Sequence, residues 1–93
     1  MTAVLFPLGR IVATPGALSL LASAGEDPNG LLERHERGDW DEVPAADARE
    51  NELSVKKGFR VLSSYRVGER GTRVWVITEA DRSSTCLLLP EEY

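Results

Sequence analysis

The chain has almost none of the side chains on which metal and redox chemistry run. It holds one cysteine, Cys86, and one histidine, His35, in 93 residues. A lone cysteine makes no intramolecular disulfide and no cysteine-based zinc site, so a reducing cytoplasm is the expected setting. One histidine among scattered carboxylates lacks metal-ligand spacing, and neither a metal nor another cofactor is expected. Long apolar runs are missing too. Pro7, Gly9, Arg10 and Pro15 interrupt the apolar start, which falls short of the roughly 20 residues of a membrane span. No lysine precedes LSLLASAG, as a secretory n-region would require, so neither export nor membrane insertion is expected. No repeat or low-complexity tract is visible. Neither Gly9 nor the Gly68/Gly71 pair has the strand-to-helix context of a phosphate loop.

What is present fits one soluble domain, 1–93, of 10.2 kDa with 42% hydrophobic and 28% charged residues. Thr14-Pro15 reads as N-cap and first helical residue, followed by a stripe of Ala17, Leu18, Leu20, Leu21 and Ala24 that Gly25 stops. Asp27-Pro28 opens a second helix with Leu31, Leu32 and His35 on one face, and Gly38 is its left-handed stop. Pro44 opens a third through Lys57, acidic early and basic late, a polarity that suits the helix dipole. From Phe59 onward the period becomes that of strands: FRVLSSYRV, TRVWVIT and STCLLLP, separated by turn residues. The expectation is an α+β fold, three short helices followed by a three-stranded antiparallel meander. Val4, Leu5 and Phe6 are the candidate N-terminal edge strand, because an edge tolerates Pro7.

Placing the hairpin turn on Glu69-Arg70 pairs Val67 with Thr72 and sorts the side chains. One face takes Val61, Ser63, Tyr65, Val67, Val74, Val76, Thr78, Leu87 and Leu89. The other pairs Arg60 with Glu79, Leu62 with Ile77, Ser64 with Trp75 and Arg66 with Arg73, and adds Cys86 and Leu88. Both faces are apolar at the centre, which calls for cover on both sides, either by helices or by a partner. A patch of Leu62, Trp75, Ile77 and Leu88 rimmed by arginines has the composition of an interface centre.

The net charge of −4, with a pI near 4.9, excludes a nucleic-acid binder that works by overall positive field. It conceals a division. Residues 26–52 carry ten acidic and three basic side chains, a net of −7, whereas residues 56–82 carry seven basic and three acidic, a net of +4. Arg66 beside Arg73 calls for an anion, either a carboxylate of the acidic helices or a phosphate or carboxylate of a partner.

Three functions follow as alternatives. The leading one is a non-enzymatic binding module that docks another protein, or a second copy of itself, on Arg60, Leu62, Arg66, Arg73, Trp75, Ile77 and Arg82. The second is a metal-independent ribonuclease resembling barnase and RelE-like nucleases in element order alone. In that reading arginines hold phosphate and His35 moves a proton, with Arg60, Tyr65, Arg66, Arg82 and Thr85 completing the set. The third is DNA mimicry by the acidic half, through Glu33, Asp39, Asp41 and Glu42. Each candidate also has an ordinary structural explanation: His35 as a partly buried helix histidine, Trp40 as a staple at a helix junction, and Glu79–Thr85 as an Asp/Ser-stabilised turn with Arg82 paired to a carboxylate.

Several blocks stand in a distinctive order along the chain: Leu31-Leu32-Glu33-Arg34-His35, Gly38-Asp39-Trp40, Arg49-Glu50-Asn51, Val61-Leu62-Ser63-Ser64-Tyr65-Arg66, the run Trp75 to Ser83, and Leu88-Leu89-Pro90-Glu91-Glu92-Tyr93. Together they resemble a family of small bacterial proteins carried on plasmids, integrated elements and chromosomes, called "hypothetical" or "plasmid-related" and sometimes labelled restriction subunits. The resemblance implies a mobile-element setting, in which small proteins inhibit or regulate host defence, replication or transfer machinery. It implies no specific activity.

Overall fold

A computed structural model describes residues 4–40 and 45–93. Strand β1 (Arg10–Ala13) precedes helices α1 (Pro15–Ala24), α2 (Pro28–Glu36) and α3 (Ala45–Lys57). Strands β2 (Val61–Val67), β3 (Thr72–Thr78) and β4 (Ser84–Leu88) follow, and a 3₁₀ turn spans Pro90–Glu92. The fold is α+β with three helices, as expected, but the sheet is four-stranded and mixed, in the order β1-β4-β3-β2, with β1 parallel to β4. The antiparallel meander is thus only part of the sheet, and a strand comes before the helices.

The N-terminal strand also lies later than Val4–Phe6. The amide of Leu5 donates instead to the Glu36 carbonyl at the end of α2, and Phe6 is buried beside Trp40 and Val61. Gly9, at φ +66°, then turns the chain into β1. A Cβ there would lie 2.3 Å from the Arg82 carbonyl oxygen, so only glycine allows this approach to the β3–β4 turn. A four-residue strand between a glycine and a proline is too short to show period-2 alternation, which is why Arg10–Ala13 is hard to read from sequence.

The helices begin and end as their caps dictate. Thr14 Oγ1 accepts from the Ala17 amide, Asp27 Oδ1 accepts from the Asn29 amide, and Gly25 closes α1 in the left-handed conformation. Pro44, expected to open α3, lies outside the described residues.

Hairpin pairing follows the expected register, Val67 with Thr72 through Val61 with Thr78. Strand β4 adds Leu87 beside Val76 and Cys86 beside Ile77. One face is therefore buried throughout: Val61, Tyr65, Val67, Val74, Val76 and Leu87 pack against Ala17 and Leu21 of α1 and Leu31 and Leu32 of α2. A satellite cluster of Phe6, Trp40 and Val61 receives Ala48 and Val55 of α3. The buried and half-buried side chains of the three α-helices in these two clusters pack on this face. At about 25 cal/mol per Å² of apolar surface removed from water, this packing is the main source of stability.

Candidate functional site

On the helix-covered face the polar residues are joined in a chain. His35 is fully buried, with Nδ1 2.5 Å from Ser63 Oγ and Nε2 2.9 Å from Thr78 Oγ1. Thr78 Oγ1 lies 2.7 Å from Thr85 Oγ1, which donates to the Leu8 carbonyl at 2.7 Å. That last acceptor fixes every proton, because a carbonyl only accepts. Thr85 spends its hydrogen on Leu8, so Thr78 donates to Thr85, His35 Nε2–H donates to Thr78, and Ser63 donates to Nδ1. The imidazole is neutral, in the Nε2–H form. Burial, with Arg82 as a lesser contributor, lowers its pKa to about 3. Phe6 and Trp40 meet its ring edge-on, at centroid distances of 5.2 and 6.0 Å. The group is saturated and enclosed. It joins α2, β2, β3, β4 and the N-terminal segment, and it offers no lone pair to a substrate.

Arg82 is likewise committed. It sits in the left-handed region at φ 60°, and its guanidinium donates to the carbonyls of Phe59 (2.6 Å), Ser54 (2.9 Å) and Glu79 (3.2 Å). The expected carboxylate partner is replaced by backbone carbonyls, two of them at and just beyond the C-terminal end of α3, where the helix dipole favours a cation. Its charge also lies 5.3 Å over the Phe6 ring. Asp81 shapes the turn as expected, accepting from the Ser83 amide at 2.9 Å.

Of the remaining members of the nuclease set, Thr85 belongs to the same buried chain as His35, and the others lie elsewhere. Tyr65 is fully buried, its hydroxyl donates to the Asp39 carbonyl at 2.6 Å, and Arg34 caps its ring. Arg66 is exposed on the opposite face, and Arg60 stands at its rim. The structure does not bring His35, Arg60, Tyr65, Arg66, Arg82 and Thr85 into one cleft. For the acidic half, Asp39 is 2.7 Å from Arg34, while Asp41 and Glu42 lie outside the described residues. No group of three or more metal-ligating side chains occurs among the described residues, and none of the helices described is long and apolar enough to cross a membrane.

The other sheet face carries most of the candidate binding residues in four rows across the strands. Arg66 and Arg73 form the first, and Ser64, Trp75 and Leu88 the second. Leu62, Ile77, Cys86 and Val12 form the third, and Arg60, Glu79, Ser84 and Arg10 the fourth. Arginines stand at both ends of an apolar centre. No helix of the two core clusters packs on it, yet Ile77, Leu88 and Ser64 are buried, so of the expected patch only Trp75 and Leu62 are partly exposed. Its cover is the 3₁₀ turn beside β3 and the ring of Tyr93, whose centroid is 5.7 Å from that of Trp75. Arg60 Nη1 donates to the Tyr93 hydroxyl at 2.5 Å, and Arg60 Nε is 3.4 Å from the Glu79 carboxylate. Both contacts, Tyr93 first, keep the guanidinium more firmly protonated than usual. Arg73 donates to Ser64 Oγ at 3.1 Å. Burial, followed by the charges of Glu92 and Glu79, pushes the Cys86 thiol up, so it is a poor nucleophile at neutral pH.

Three positions of this face escaped the sequence. Tyr93 has no periodic context, and Arg10 and Val12 join this face only through the parallel pairing of β1 with β4. Comparison with protein families, with curated proteins and with solved structures returns no match in any of the three.

Proposed function

We propose that the protein is a non-enzymatic binding module that docks a protein partner on the open sheet face. The observation that carries this reading is that the helices pack on one face, while the other presents Trp75, Leu62 and Val12 between arginines. A partially exposed tryptophan at the centre of an apolar patch with arginines at its edge is the usual make-up of a binding hot spot. The complementary surface has an apolar centre and a carboxylate facing Arg10. In the mobile-element setting that the family resemblance implies, the partner is a host defence, replication or transfer factor in the cytoplasm. Committing His35, Tyr65, Arg82 and Thr85 to internal hydrogen bonds argues against the ribonuclease reading.

The test uses photo-crosslinking side chains placed singly at Leu62, Arg73 and, as a control on the helical side, Leu18. Expected is one host protein captured from positions 62 and 73 but not 18, and lost on Trp75→Glu while the thermal midpoint stays within a few degrees. Capture from position 18 alone, or capture indifferent to Trp75→Glu, overturns the assignment. RNA cleavage abolished by Arg66→Ala would overturn it in favour of the nuclease.

A further inference from the structure

The two edges of the sheet are treated differently. At β2 the outward backbone groups of Leu62 are occupied: Asn51 Nδ2 donates to its carbonyl at 2.5 Å, and its amide donates to Asn51 Oδ1 at 3.1 Å. The side chain of α3 thus takes the place of a neighbouring strand. At β1 there is no such cap among the described residues. The amides of Arg10 and Thr14 donate to Ser83 and Leu87, which, with the parallel register, turns the backbone groups of residues 10, 12 and 14 toward β4. The N–H and C=O groups of Ile11 and Ala13 therefore point away from the sheet. Around them Ile11 and Val12 are 49% and 39% exposed. An unprotected edge bearing exposed apolar side chains is a template for another strand.

We infer that β1 pairs antiparallel with β1 of a second copy about a two-fold axis at Val12, joining the two sheets into one of eight strands. The register is set by the chain itself. Gly9 in the left-handed region and Pro15 bound the extended segment, and only a dyad at Val12 uses all of its outward groups. Ile11 and Ala13 of each copy then exchange two hydrogen bonds with Ala13 and Ile11 of the other. Val12 meets its counterpart as a non-hydrogen-bonded pair.

Charge selects the same partner. In this register Arg10 falls opposite Thr14 of the other copy. The Thr14 hydroxyl donates to the Glu92 carboxylate at 2.5 Å, and that bond, with a further one from the Leu89 amide, lowers the pKa of Glu92 and keeps it ionised. The Arg10 side chain makes no hydrogen bond or ion pair among the described residues. Each copy thus brings an uncommitted cation to the place where the other holds an anion, and the two-fold axis makes the match twice. A heterologous peptide strand would satisfy the backbone but would have to supply both charges independently. This pairing does not depend on the open face having a ligand. It would double that face, since Val12 sits on it in both copies.

The experiment is Val12→Cys in a Cys86→Ser background. A non-hydrogen-bonded antiparallel pair holds its Cα atoms roughly 4.5 Å apart, inside the range that a disulfide spans. Expected is a disulfide-linked dimer formed by air oxidation, with Ile11→Cys and Arg10→Cys variants failing to cross-link. Light scattering of the unmodified chain should show a dimer whose dissociation constant rises roughly tenfold or more on Arg10→Glu and recovers in Arg10→Glu/Glu92→Arg. If Glu92→Arg fails to fold, the Cys series still decides. A monomer at all concentrations overturns the inference, and so does a dimer that cross-links at neither Val12 nor its register, or one insensitive to Arg10→Glu. Trp75→Glu should leave the dimer intact, which separates this outcome from the fate of the open-face reading.

Discussion

His35 makes acid lability a quantitative consequence of the fold. The imidazole is neutral in the folded protein down to about pH 3, whereas in the unfolded chain it takes up a proton near its ordinary value of about 6.5. Above pH 6.5 both states are neutral and the group adds no pH dependence. As the pH falls from 6.5 toward 3, only the unfolded state binds the proton, so folding stability declines across that window. The decline amounts to about 2 kcal/mol at pH 5 relative to pH 8, and to about 5 kcal/mol once pH 3 is passed. A domain of this size has about 5–15 kcal/mol in all, so the loss is large. Carboxylates titrate mostly below pH 4.5, which leaves the interval from pH 8 to pH 5 to the histidine. Urea unfolding across that interval should show the midpoint falling with an unchanged slope on denaturant. His35→Gln should be less stable at pH 8, because the hydrogen-bonded chain is damaged, yet flat with pH down to 5. A wild-type protein whose stability changes by less than about 0.5 kcal/mol over the interval would refute the neutral, enclosed imidazole. A His35→Gln variant that keeps the full pH dependence would refute it as well.

Two further substitutions test the groups that hold the open face in place. Arg82→Lys keeps the charge but replaces a planar fork that reaches three backbone carbonyls with a single point donor; a loss of about 2–3 kcal/mol in chemical denaturation is expected, and a loss under about 0.5 would show those bonds to be incidental. Asn51→Ala uncaps Leu62 at the β2 edge, and should lower stability by about 2 kcal/mol and speed amide exchange at Leu62; unchanged exchange there would mean that the side chain is not the edge's partner.

The legible parts of this fold are those where local chemistry and periodicity agree. Thr14-Pro15, Asp27-Pro28 and Gly25 mark helix ends by satisfying or stopping backbone groups, and they do so in the structure. The hairpin register follows from a tight turn between Gly68 and Gly71 together with strict alternation, and it sorts Tyr65 and Val76 inward and Trp75 and Arg66 outward. Arg10–Ala13 was not legible, because its strand character comes from a partner more than 70 residues away in the chain, at Ser84–Leu87. The N-terminal apolar triplet misled for the complementary reason. Phe6 is apolar because it fills a gap between Trp40 and Val61, not because it alternates.

By itself, then, the sequence determined the helices, the antiparallel hairpin, the division of charge and the absence of an intramolecular disulfide, all of which depend on composition or on neighbours a few residues apart. Only the tertiary structure decided what the polar residues do. His35 and Thr85 look alike as catalytic parts or as core until the fold encloses them, and Arg82 looks alike as an anion site or as a clamp until the α3 carbonyls reach it. The open face depends on the same level of organisation. Which side of an evenly apolar sheet is covered depends on where the helices land, and that is set by long-range packing that no local pattern records.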